Sequence, residues 1–178
     1  MEKVIKYGLL SIAAVICSLL LYVISVYKFD KLRNVTFTTT EITAKQREQQ
    51  LDCLARNIYY EAGGEPFEGK VAVAQVTINR AESGKFPEDI CKVIYQKNVI
   101  YDKVVCQFSW YCETPAKVKP IHSPNYNESY EVAKKVLLEG FRLDGLKDAL
   151  YYHADYVNPG WNKPKVAKIG RHIFYKDV

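Results

Sequence analysis

One carboxyl group stands out in this chain: Glu61, in Asn57-Ile58-Tyr59-Tyr60-Glu61-Ala62-Gly63-Gly64-Glu65-Pro66. Aromatic rings beside a carboxyl group withdraw it from water, which favours the protonated form and raises the pKa. The two glycines after it are expected to end a helix and leave the approach to the carboxyl open. A carboxylic acid still protonated near neutral pH can give its proton to a glycosidic oxygen. The same ten residues also suit a solvated glutamate at a helix end, so the choice falls to the rest of the chain.

A second group of residues could supply a sugar-binding wall. Cys106-Gln107-Phe108-Ser109-Trp110-Tyr111-Cys112 is dense in rings and amides. Aromatic faces stack on the apolar faces of pyranose rings while an amide bonds the hydroxyls, so Gln107, Phe108, Ser109 and Trp110 are candidates. A structural strand or a disulfide-braced loop is the alternative. Tyr60 and Glu65 flank the acid. Tyr151 and His153, in Ala149-Leu150-Tyr151-Tyr152-His153, and Trp161, after Pro159-Gly160, complete the list of candidate substrate contacts. Each histidine in an aromatic strand is also well explained as a hydrogen-bonded structural residue, and Trp161 as a cap on the core. A metal or cofactor is not expected. The three histidines, His122, His153 and His172, are widely spaced, and there is no His-Glu-x-x-His. No nucleophile motif marks a cysteine peptidase. No Lys/Arg block or RNA-type aromatic motif marks a nucleic-acid binder.

The elements that must position these residues can be read from periodicity. Thr43-Ala44-Lys45-Gln46 fits a capping box that opens a helix. Leu51, Leu54, Ala55, Ile58 and Ala62 then form one apolar helical face, with Glu61 one step off it. Residues 71–80 are apolar nearly all round, and their alanine content and length favour a buried helix. A loop at 83–87 and a short helix at 89–96 follow. Residues 128–139 read as a helix closed by Gly140. Residues 149–153 and 166–175, the latter bent at Gly170, read as two strands of a small antiparallel ribbon.

The N-terminus is different in kind. No charge occurs between Lys6 and Lys28. A helix of that length spans about 30 Å, the thickness of a bilayer core, and tyrosines lie near both ends, as interfacial rings do. Residues 1–27 are therefore expected to be a single transmembrane anchor, 28–42 a tether, and 43–178 the catalytic domain. A cleaved signal peptide is the alternative, but a small-x-small cleavage site is hard to find. The expected location is the cytoplasmic membrane, with a monomeric catalytic domain on the periplasmic or outer side. Leaving out Glu2, Lys3 and Lys6, the remaining chain carries 23 Lys/Arg against 19 Asp/Glu, a net of +4. Such a balance suits an anionic polymer or membrane surface. Cys53, Cys91, Cys106 and Cys112 lie beyond the anchor, and an oxidising compartment would pair them.

Several of these motifs fall in one order. Ala55-Arg56-Asn57-Ile58-Tyr59-Tyr60-Glu61-Ala62-Gly63-Gly64-Glu65-Pro66 is followed by Gly69-Lys70-Val71-Ala72-Val73-Ala74-Gln75-Val76-Thr77-Ile78-Asn79-Arg80. Phe86-Pro87, Cys91-Lys92-Val93-Ile94-Tyr95-Gln96 and Cys106-Gln107-Phe108-Ser109-Trp110 come next, and Tyr151-Tyr152-His153, Trp161 and Ile169-Gly170-Arg171-His172-Ile173-Phe174-Tyr175 close the series. Over residues 51–176 the chain resembles the SleB/CwlJ family of cell-wall hydrolases, which includes spore cortex-lytic enzymes. The family often has arginine where Gly63 stands. The resemblance implies an α+β, mainly helical domain of lysozyme-like or lytic-transglycosylase-like character. It also implies cleavage of the β-1,4 bond between N-acetylmuramic acid and N-acetylglucosamine in peptidoglycan. The family's glutamate maps onto Glu61. With no clear second carboxylate, a lytic transglycosylase is expected, and a phage endolysin is one setting for it. A hydrolytic muramidase using Glu65, or a membrane-tethered glycan-binding module without activity, are the alternatives.

Overall fold

The computed structural model describes residues 2–33, 43–113 and 124–178; within the first stretch the described side chains are those of residues 7, 8 and 15–28. The chain divides into two units, Met1–Glu41 and Ile42–Val178. The first contains one helix, α1 (Glu2–Arg33), which runs past the expected end of the anchor at residue 27. Every side chain from 15 to 28 is exposed, Val15, Leu19, Leu20, Leu21, Ile24 and Tyr27 among them. Among the described residues no helix is long and apolar enough to cross a membrane. The rest of the expected tether, residues 34–42, lies outside the described residues, as does His122.

The second unit opens with α2 (Ala44–Ala62). Its start is the capping box read from sequence. Thr43 Oγ1 accepts from the Gln46 amide at 3.1 Å, and Gln46 Oε1 accepts from the Thr43 amide at 2.9 Å. The stripe Leu51, Leu54, Ala55, Ile58 and Ala62 is buried. Gly63 ends the helix for a reason other than left-handed backbone. Its φ is −59°, but a Cβ there would collide with the Tyr59 carbonyl oxygen.

α3 (Phe67–Glu82) is buried without a break from Gly69 to Arg80, which is why its sequence is apolar all round. Val71, Ala74 and Ile78 pack into one core with Leu54 and Ile58 of α2 and Val132 and Val136 of α6 (Pro124–Leu137). Ala72 and Val76 pack into a second core with Leu146, Ala149 and Phe174. A buried Lys70 ammonium meets Glu128 of α6 at 2.8 Å. α6 begins four residues earlier than expected, with Pro124 at its first position, where a missing N–H costs nothing. The short α4 (Ile90–Ile94) is held to α2 by the Cys53–Cys91 disulfide, with Cα atoms 5.4 Å apart, and by Gln50, which bonds the Ile90 amide and the Asp89 carboxylate.

Two small antiparallel sheets complete the domain. β1 (Lys97–Ile100) and β2 (Lys103–Cys106) form an exposed hairpin that sequence reasoning did not anticipate. Its turn uses Tyr101 and Asp102 at φ 48° and 61° with no glycine to announce it. α5 (Ser109–Glu113) follows, and the Cys106–Cys112 disulfide closes over it. The expected two-stranded ribbon is in fact a three-stranded sheet in the order β3-β5-β4. β3 is Ala149–Ala154. The stretch read as one bent strand is β4 (Lys165–Ile169) and β5 (His172–Lys176), because Gly170 at φ +56° turns the chain fully back on itself.

Candidate active site

Glu61 occupies the last turn of α2, partly buried. Its partner comes from β3. The Tyr152 hydroxyl donates to Glu61 Oε2 at 2.9 Å. Side chains alternate along a strand, and the register puts Tyr152, Phe174 and His172 on the inner face of the sheet. There the Tyr152 ring lies 5.3 Å from His172 and 5.6 Å from Phe174. Burial, and then the Glu61 carboxylate, push the Tyr152 phenol well above its ordinary pKa, with Arg80 opposing. The hydroxyl therefore stays a donor.

Arg80 lies behind Tyr152, near the end of α3 and only 4 % exposed. Its Nε donates to the Leu150 carbonyl at 2.7 Å, and among the described residues Nη1 has no hydrogen-bond partner. The guanidinium carbon sits 5.2, 5.3 and 6.0 Å from the ring centroids of Phe108, Phe86 and Tyr152. Burial lowers its pKa, while Tyr152 and Glu61 act to raise it. A carboxylate attracts both the buried cation and the phenol donor, so the site is equipped to receive Glu61 as an anion once it has given up a proton.

A buried hydrogen-bond chain fixes the helix that carries Glu61. Trp110 Nε1 donates to Asn57 Oδ1 at 3.0 Å, Asn57 Nδ2 to Thr77 Oγ1 at 3.2 Å, and Thr77 Oγ1 to the Val73 carbonyl at 3.1 Å. Asn79 has a structural role: its Nδ2 donates to the carbonyls of Leu146 and Ala149 at 2.8 and 2.9 Å.

The expected aromatic wall is corrected. Phe108 and Trp110 are 3 % and 9 % exposed and belong to the helical core. The chain curls into α5 after Phe108 instead of continuing as a strand, and the curl turns both rings inward. Tyr60 stacks on Trp110 at 4.5 Å and 20°. Ser109 is exposed at the start of α5, and Gln107 is partly buried, its amide donating to the Gln96 carbonyl at 2.9 Å.

Glu65 is engaged within the fold. Its Oε2 accepts from the Arg171 amide at 3.0 Å, and a Cβ at Gly170 would collide with that carboxylate. Glu65 is a strut between the start of α3 and the β4–β5 turn. Tyr151, His153 and Trp161 do come together, but on the outer face of the sheet, away from Tyr152. His153 Nδ1 and Nε2 lie 2.8 and 2.9 Å from the Ala154 carbonyl and the Tyr175 hydroxyl, the structural role weighed for it above.

Sequence reasoning missed Tyr152, Arg80 and Asn57. The signals were present. Tyr152 is the strand residue one step out of phase with Tyr151 and His153, and Asn57 is four residues before Glu61 on one helix face.

Residues 64–175 match the family described as Cell Wall Hydrolase. This chain belongs to the SleB-type family of cell wall hydrolases. Glu61 lies three residues before the matched segment, so its role rests on the geometry above. The spore cortex-lytic enzyme of Bacillus cereus is 31 % identical over 145 residues, 77 % of this chain and 48 % of that protein. The spore cortex-lytic enzyme of Bacillus subtilis is 32 % identical over 129 residues, 68 % of this chain and 35 % of that protein. The chain thus spans a third to a half of the length of these curated relatives. The solved catalytic domain of Bacillus cereus SleB is similar at TM-score 0.54 and 28 % identity, covering 72 % of this chain and 91 % of that one. The catalytic domain of the germination-specific lytic transglycosylase SleB from Bacillus anthracis matches with the same score and identity, covering 95 % of that chain. The mainly helical domain with small antiparallel sheets is therefore the SleB catalytic fold.

Proposed function

We propose that the 43–178 domain degrades peptidoglycan by cleaving the β-1,4 bond between N-acetylmuramic acid and N-acetylglucosamine as a lytic transglycosylase. The observation that carries this reading is the single glutamate held by Tyr152, with the buried Arg80 behind it. Glu61 as the acid protonates the glycosidic oxygen while the C1–O bond breaks. As the carboxylate it then takes the proton from the C6 hydroxyl of the muramic acid, and O6 bonds to C1. The product is a 1,6-anhydro end, and Glu61 regains its proton. Tyr152 holds the carboxyl orientation through both steps, and positioning of the C6 hydroxyl supplies much of the rate. The engagement of Glu65 by the β4–β5 turn favours this route over a muramidase with a second carboxylate. Mass spectrometry of digested walls is the test. Anhydro ends support the proposal. Reducing muramic ends would assign a hydrolase, and free peptides without glycan products would remove glycosidase activity altogether.

In this reading α1 anchors the enzyme in the cytoplasmic membrane, with the catalytic domain on the wall side. A helix with no charge from 7 to 27 and exposed apolar side chains around its whole circumference suits lipid. An endolysin is one enzyme class with this plan.

A further inference from the structure

The residues that sequence analysis assigned to the substrate but the structure moved to the outer sheet face form a cluster of their own. Trp161 is 42 % exposed, yet its position is fixed by three rings. Tyr151, His153 and Tyr175 meet it edge-on at 6.0, 5.7 and 5.9 Å. The register aligns two rows across the sheet, Tyr151–Tyr175–Lys165 and His153–Ile173–Lys168. Paired residues share a face, so the rings sit beside exposed lysines. Lys168 meets Asp155 at 2.9 Å, and among the described residues Lys165 has no acidic partner. Residues 149–178 carry five Lys/Arg and two Asp/Glu.

We infer that the outer face of the β3-β5-β4 sheet is a second, non-catalytic docking site for wall glycan, an acetamido-sugar strand whose peptide stems carry carboxylates. This rests on the peptidoglycan reading above. A rigid exposed tryptophan flanked by tyrosines offers flat surface for the apolar faces of sugar rings at little cost in side-chain entropy. The lysine rows complement the stem carboxylates. A protein partner of ordinary size would need about 800 Å² on this face, depleted of lysine at its centre. This cluster has lysines beside its rings. Tyr152, which holds Glu61, points to the opposite face of the same sheet. The docked strand is therefore a neighbour of the one being cut, and the second contact acts by raising effective concentration in a cross-linked network.

The test uses full-length protein in detergent. In a Glu61→Gln background, retention on purified insoluble walls is compared with and without Trp161→Ala or Lys165→Glu. Each substitution is expected to lower the bound fraction about fivefold, the scale of one stacking or charge contact. With Glu61 intact, the same two substitutions should slow digestion of insoluble walls and leave cleavage of isolated, uncross-linked strands within about twofold. Unchanged retention overturns the inference. So does an equal loss on isolated strands, which would make these residues part of the cutting site or of the fold. If the two substitutions lower retention on sugar-free polyglutamate beads as much as on walls, the face is a general cationic surface and the inference is also overturned. If the enzyme with Glu61 intact cleaves neither substrate, the glycosidase reading itself fails, and the docking inference fails with it.

Discussion

In the proposed reaction Glu61 and Tyr152 divide the chemistry between a group that moves a proton and a group that keeps it aimed. Glu61→Gln should lower glycan cleavage by about two to four decades, the usual share of general acid catalysis, with retention on walls preserved. Turnover near wild type would take Glu61 out of the mechanism. Tyr152→Phe keeps the ring between His172 and Phe174 and removes only the hydroxyl. A hydrogen bond to a charged group is worth about 1.5–3 kcal/mol, so kcat should fall about 10- to 100-fold while KM holds. A matched rise in KM would instead make Tyr152 a substrate contact. Glu61 stood out in the sequence because its neighbours are chemically unusual. Tyr152 did not, because three polar aromatic residues stand in a row at 151–153 and only the phase of the strand separates them. Phe108 and Trp110 misled for a related reason: a ring suited to sugar is equally suited to a core.

The elements depend on local punctuation, and their legibility followed it. The Thr43 box and the all-round apolar α3 were readable because caps and burial leave unambiguous patterns. The β1–β2 hairpin was not, since its turn lacks the glycine that normally supplies a positive φ and its strands are exposed throughout. Gly170 was readable as a bend but not as a full reversal. At this scale the two disulfides should differ in weight. Loop-closure entropy gives about 4 kcal/mol for a bridge spanning 38 residues and about 2 kcal/mol for one spanning 6. Cys53→Ala/Cys91→Ala should therefore lower the denaturant midpoint more than Cys106→Ala/Cys112→Ala, and the reverse order would point to strain or residual structure outside this account. Gly170→Ala should unseat the β4–β5 turn from Glu65, losing stability that Glu65→Ala restores in part. Simple additivity of the two losses would show that they are not coupled.

For the molecule as a whole, burial sets the acid side of the stability curve. His172 is 7 % exposed, its Nδ1 has no hydrogen-bond partner among the described residues, and burial holds its pKa below the ordinary value, with Glu65 and Asp155 opposing. Above about pH 6.5 the imidazole is neutral in both folded and unfolded chains and contributes no difference. As pH falls below that value the unfolded chain takes a proton that the folded one resists, so stability declines. His172→Phe should flatten the fall in Tm between pH 7 and pH 5; parallel declines would assign the slope to other groups. The proposed anchorage is a matter of this scale too. Protease added to intact spheroplasts should digest the catalytic domain, and protection until the membrane is opened would reverse the orientation.

α3 is shared by both cores, packed against α2 and α6 on one flank and the β-sheet on the other. Each half draws part of its interior from it. A chain that has lost β4 and β5 exposes a whole flank of this helix and leaves Glu65 without its anchor. A chain that has lost α6 exposes the other flank and uncovers Lys70. Folding of the domain is therefore expected to be all-or-none. For the wall-cutting enzyme proposed above, that arrangement would remove the half-formed but still cutting copy from the population.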